Sequence, residues 1–68
     1  MDRYTITYYR SQSSSVIMRS LPLSFDACCK RLAKYGYSQN PCLPCIWYPT
    51  HFTRRIVGDA DLVQIEKY

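Results

Sequence analysis

Apolar and polar side chains alternate at the start of the chain. Tyr4, Ile6 and Tyr8 fall on one side; Thr5, Thr7 and Tyr9 fall on the other. A period of two, built from aromatic and β-branched residues, predicts a strand with one buried face. Ser11 to Ser15 is a polar turn, and Val16-Ile17-Met18-Arg19 reads as the returning strand of a hairpin.

The period then changes. From Phe25 onward, Phe25, Cys28, Cys29, Leu32 and Tyr35 gather on one face at 100° per residue, with Lys30, Arg31 and Lys34 opposite and Ala27 among them. This predicts an amphipathic helix of about three turns. Ser24 is a suitable N-cap, Asp26 suits the positive end of the helix dipole, and Gly36 suits the left-handed residue that closes a helix. Tyr37 to Pro44 reads as a loop. Ile46-Trp47-Tyr48 reads as a short strand stopped by Pro49, and Phe52 to Val57 as a further extended segment. Gly58 to Asp61 is a turn before a last strand, Leu62 to Tyr68, with Val63 and Ile65 inward.

The predicted order is β-β-α-β-β. The expected fold is a single α+β domain over residues 1–68, an antiparallel sheet with one amphipathic helix packed on one face. No repeat or linker divides it.

Composition sharpens this reading. The chain has 68 residues, of which 47% are hydrophobic, a share suited to a packed core rather than to disorder. A domain this short buries roughly 60% of its unfolded surface, so little interior is left for an enclosed substrate site. No apolar run reaches the ~18 residues of a membrane span. Met1-Asp2-Arg3-Tyr4 leads straight into a strand without a basic head and apolar stretch, so no signal peptide is read there. The expected location is the cytoplasm, where cysteines are reduced.

Four cysteines and one histidine are the candidate chemistry. Cys42 and Cys45 are spaced as a C-x-x-C pair. With a helical cysteine, Cys29, and with His51, they could complete a tetrahedral zinc site. The motif lacks a second pair, and the alternative for Cys28 and Cys29 is burial as small apolar residues. Cys42-Leu43-Pro44-Cys45 also resembles the C-x-P-C loop of thioredoxin-like proteins. There, however, the first cysteine opens a helix, and here a strand pattern follows. Neither a Gly-x-Ser-x-Gly nor a glycine-rich phosphate loop is present. The expectation is a protein that is not an enzyme and needs no cofactor.

Nine Lys and Arg against five acids give a net charge of +4, which favours an acidic partner. Lys30, Arg31 and Lys34 form one basic cluster and Arg54-Arg55 a second. Tyr9, Tyr37, Trp47, Tyr48 and Tyr68 exceed what so small a core holds, and aromatics with arginine are the residue types that anchor interfaces. The candidate partner-binding residues are therefore Lys30, Arg31, Lys34, Arg54, Arg55, Tyr37, Trp47 and Tyr48.

The layout resembles that of tiny proteins encoded by bacteriophages and mobile elements. A Tyr/Thr-rich hairpin, Tyr4 to Arg19, leads into a helix opened by Leu23-Ser24-Phe25-Asp26-Ala27 and running to Leu32-Ala33-Lys34-Tyr35-Gly36, and a β segment closes the chain. Anti-CRISPR proteins and small phage inhibitors of host RNA polymerase include members of this kind. The resemblance implies an inhibitor, a monomer or small homo-oligomer in the host cytoplasm. It would occupy a surface of a host protein or ribonucleoprotein complex, with direct nucleic-acid contact as one mode. It assigns no functional residue. The alternative function is a small zinc-stabilised nucleic-acid-binding module.

Overall fold

The computed structural model describes residues 2–54, 58 and 60–68. Among these lie β1 (Tyr4–Arg10), β2 (Ser15–Arg19), α1 (Phe25–Lys34), β3 (Ser38–Gln39), β4 (Ile46–Tyr48) and β5 (Leu62–Lys67). The strands form one five-stranded antiparallel sheet in the order β2-β1-β5-β4-β3. The domain is α+β, as its periodicities predict. Two details differ. Ser38 and Gln39, read as loop, pair with Tyr48 and Trp47. Neither is a strand former; the partner strand sets their conformation. Phe52, read as extended, lies in a turn, and Thr53 and Arg54 lie outside any strand. Residues 55–57 of that segment are outside the described residues.

The helix ends follow local chemistry. Ser24 accepts a hydrogen bond from the Ala27 amide at 3.1 Å, and Asp26 occupies the first turn. At the other end the Gly36 amide donates to the Ala33 carbonyl and the Tyr37 amide to the Leu32 carbonyl. This is the Schellman pattern, and it needs a left-handed residue; Gly36 has φ +87°. A Cβ there would also stand 2.5 Å from the Phe52 carbonyl oxygen. Only glycine fits this position.

Cys28 and Leu32 of α1 share a core with Ile6 and Tyr8 of β1, Trp47 of β4, Val63 and Ile65 of β5, Tyr37 and Ala60. Tyr4 packs edge-on against Phe25, with centroids 5.4 Å apart. Tyr37 and Trp47, expected among exposed anchors, are core residues at 9% and 4% exposure. The reasons are geometric. The turn at Gly36 carries the chain back over the sheet, so Tyr37 meets Tyr8 edge-on at 6.2 Å. Trp47 lies opposite Val63 in register, which sends it to the helix side. Its indole Nε1 has no hydrogen-bond partner among the described residues, so what it contributes there is packing.

The face away from the helix is also covered at its centre. Thr5 and Thr7 are buried, where simple alternation predicts exposure. β1 is flanked by β2 and β5, and long polar side chains from both close over it. Thr7 Oγ1 donates to Glu66 Oε1, and the Tyr9 hydroxyl donates to Glu66 Oε2 at 2.9 Å. Arg19 lies opposite Thr7 in register. Burial, then the hydrogen bond to the Glu66 carboxylate, push the Tyr9 phenol above its ordinary pKa.

Candidate functional site

Pro49 ends β4, and the next residues fold into a turn built from threonine hydroxyls. The Thr53 amide donates to the Thr50 carbonyl at 3.2 Å. The Thr50 amide donates to Thr53 Oγ1, and the Phe52 amide donates to Thr50 Oγ1 at 3.1 Å. Both hydroxyls then bond the end of the helix: Thr50 Oγ1 donates to the Gly36 carbonyl at 2.7 Å and Thr53 Oγ1 to the same oxygen at 2.9 Å. The Arg54 amide completes the dock, donating to the Tyr35 carbonyl at 2.9 Å. These donors satisfy the carbonyls of the C-cap residue, Tyr35, and of Gly36 just beyond it.

The backbone therefore brings Arg54 to the end of α1, 20 residues further along the sequence than Lys34. Arg31 and Lys34 occupy the last turn of α1, the end whose dipole favours cations, and Arg54 joins them through its own backbone. All three are exposed. Phe52, on the same turn, is 87% exposed. Sequence reasoning placed it in an extended segment and missed it. The signal was Thr50-x-x-Thr53 after Pro49, since threonine hydroxyls build such turns. An exposed aromatic ring among arginines and a lysine is the composition of an interface anchor.

The remaining candidates separate. Lys30 pairs with Asp26 at 3.0 Å, one turn back on the helix. Both are exposed, and such pairs contribute little to stability, but the carboxylate offsets that lysine's charge. Tyr48 is exposed on β4, where its hydroxyl accepts from Asn40 Nδ2 at 3.3 Å. Arg55 lies outside the described residues.

The cysteine loop is a hairpin tip. Asn40 Oδ1 accepts from the Cys42 and Leu43 amides at 2.8 and 3.0 Å, and the Ile46 amide closes the turn onto the Leu43 carbonyl at 2.9 Å. Cys42 opens no helix, and Cys45 leads straight into β4. Cys42 is exposed at the tip, while Cys29 and Cys45 are half-buried against the core. Burial, then the Asp26 carboxylate and the Cys45 thiol, push the Cys29 pKa up. His51 is exposed on the threonine turn. Among the described residues, no three His, Cys, Asp or Glu side chains gather as a ligand set, so Cys29, Cys42, Cys45 and His51 are not brought together. Nor is any helix among them long and apolar enough to cross a membrane.

The most clearly built feature of the surface is thus the basic end of α1. Comparison with protein-family models, with curated proteins and with solved structures finds no match to this chain.

Proposed function

We propose that the protein is a binding protein that seats the C-terminal end of α1 on an acidic surface of its partner. Arg31, Lys34 and Arg54 supply the charge and Phe52 the anchor. The observation that carries this reading is the bond from the Arg54 amide to the Tyr35 carbonyl, 2.9 Å long. It unites cations that the sequence separates and holds the turn bearing Phe52. A preorganised patch loses less conformational freedom on binding than a flexible one. With the small core and the phage-like layout, the reading is an inhibitor of the anti-CRISPR kind, which acts by covering a surface of a host nucleic-acid-handling complex.

The test is capture of the partner from bacterial lysate by wild-type protein and by the Lys34→Glu/Arg54→Glu variant. Both side chains are exposed, so the fold is kept. At least a tenfold loss of capture is expected, since each reversed charge faces an acidic surface. Equal capture by the variant contradicts the proposal. Titration with salt separates two forms of the partner: a steep log-log decline in affinity marks contact with nucleic-acid phosphates.

A further inference from the structure

The sheet face turned away from the helix holds an open hollow of about 480 Å³ near the end of β5. Thr5, Arg19, Ser20, Glu66, Lys67 and Tyr68 line it. The volume lies within the ~300–1,000 Å³ of small-molecule sites. Its polar groups are held in place by their neighbours. Glu66 is half-buried, and its two oxygens accept from Thr7 Oγ1 and from the Tyr9 hydroxyl. Arg19 reaches the same hydroxyl from β2, where it works against the upward push on the Tyr9 pKa. Ser20 Oγ accepts from the Ile6 amide at 2.8 Å and donates to the Leu21 carbonyl at 3.0 Å, which holds the chain just after Arg19. The Tyr68 amide donates to the Arg3 carbonyl at 2.8 Å, so the residue that brings an exposed ring to the hollow is tied at its backbone. Lys67 is drawn aside to Asp2 at 3.8 Å.

We propose that this hollow binds a guanine nucleotide, with the base on Glu66 and Tyr68 and the phosphate on Arg19. Charge selects the class. A carboxylate and a guanidinium share the hollow, so a simple anion is opposed by Glu66 and a simple cation by Arg19. A ligand with neutral N–H donors and a separate anionic group is opposed by neither. An ionised carboxylate only accepts, at about four lone-pair sites. Thr7 takes a site on one oxygen and Tyr9 a site on the other, which leaves each oxygen able to accept again. Guanine presents two adjacent N–H donors, its ring N–H and its exocyclic amine, at the spacing of two carboxylate oxygens. Among the common bases it alone does so. A free amino acid balances the same charges but offers no planar N–H pair. The flat base also suits the face of an exposed tyrosine, since unstacked bases settle on aromatic side chains. Arginine matches phosphate in geometry and charge, and the net charge of +4 draws an anion towards the protein. A free nucleotide and a guanine in single-stranded RNA offer this same chemistry. Arg31, Lys34 and Arg54 take no part, so the hollow is separate from the helix end.

Titration of isotope-labelled protein with guanosine monophosphate, followed by amide chemical shifts at physiological salt, tests this. Shifts should gather at Thr5, Arg19, Ser20 and Glu66 to Tyr68. Inosine monophosphate, which lacks the exocyclic amine, should bind ~tenfold more weakly, and adenosine monophosphate more weakly still. Glu66→Gln should lose ~tenfold or more in affinity for guanosine monophosphate. Arg19→Gln, at an exposed site, should weaken guanosine monophosphate but not guanosine, a split that a merely structural role would not produce. Tyr68→Ala, also exposed, should weaken both. Lys34→Glu/Arg54→Glu should bind like wild type, so failure of this proposal is distinct from failure of the partner-binding one. A short guanine-bearing single-stranded RNA that binds more tightly than the mononucleotide marks nucleic acid as the source; equal or weaker binding marks the free nucleotide. Absence of shifts up to ~5 mM overturns the site. So does the same set of shifts with inorganic phosphate or free glycine. Equal affinity for guanosine and adenosine monophosphates, or undiminished binding by folded Glu66→Gln, overturns the assignment to guanine.

Discussion

The two edges of this sheet solve the problem of exposed backbone in opposite ways. At the β3 edge, the end of α1 and the threonine turn satisfy each other's polar groups: two hydroxyls share the Gly36 carbonyl, and the Arg54 amide takes the Tyr35 carbonyl. The side chains left outside are cations and one phenylalanine. At the β2 edge the strand is exposed, and its side chains are Val16, Ile17 and Met18. The helix end is closed within the chain and charged outside, which suits a foreign acidic surface. The β2 edge is open, and its middle, Val16 to Met18, is apolar and exposed. In a domain with a core this small, the difference between edges carries the functional information.

The sharpest way to break the contrast is Gly36→Ala. A left-handed alanine costs about 1–2 kcal/mol, and forcing the Phe52–Thr53 backbone away from its Cβ adds about 1–3 kcal/mol. A loss of about 3 kcal/mol is expected in urea unfolding, with loss of partner capture. Alkaline pH attacks the core beneath both edges. Burial first, and then Tyr37, push the Tyr8 phenol up to about 12 from 10.0. Its folded pKa is raised, so its stabilisation is complete below pH 10 and is lost as pH rises towards 12, about 2–3 kcal/mol in all. Tyr8→Phe should flatten that window of the stability–pH profile. A gentler change, Thr53→Val, removes one hydroxyl bond to Gly36 and the acceptor of the Thr50 amide. It should cost about 1–3 kcal/mol and weaken partner capture. Smallest of all should be the effect of EDTA. Because the cysteines and His51 are not gathered, the melting temperature should not move; a drop of several degrees would reinstate the zinc reading.

Much of the fold was legible because it rests on local signals. Ser24, Asp26 and Gly36 bound the helix in sequence as they do in space, and the alternations of β1 and β5 name their core residues. What was hidden depends on partners far along the chain. Thr7 looks solvent-facing until Glu66, 59 residues away, closes over it. Ser38 and Gln39 extend because β4 lies beside them. Tyr37 and Trp47 are aromatic enough to anchor an interface, but the helix turn and the Val63 register commit them to the core. The basic site was half legible. Its cations stand out in the sequence, whereas their convergence rests on Arg54 docking against the helix end. Phe52 was missed because a hydroxyl-built turn looks like extended chain when read residue by residue.

Arg54 is held at the basic end of α1 by its own amide bond and by the two threonine hydroxyls that dock the same turn, and amide hydrogen exchange reads the amide bond directly. The Arg54 amide, bonded to the Tyr35 carbonyl, should exchange at least a hundredfold more slowly than an unstructured peptide, and Thr50→Val/Thr53→Val should erase much of that protection. Exchange of Arg54 at the unstructured rate in the wild-type protein would contradict the account, leaving Arg31 and Lys34 without their third cation.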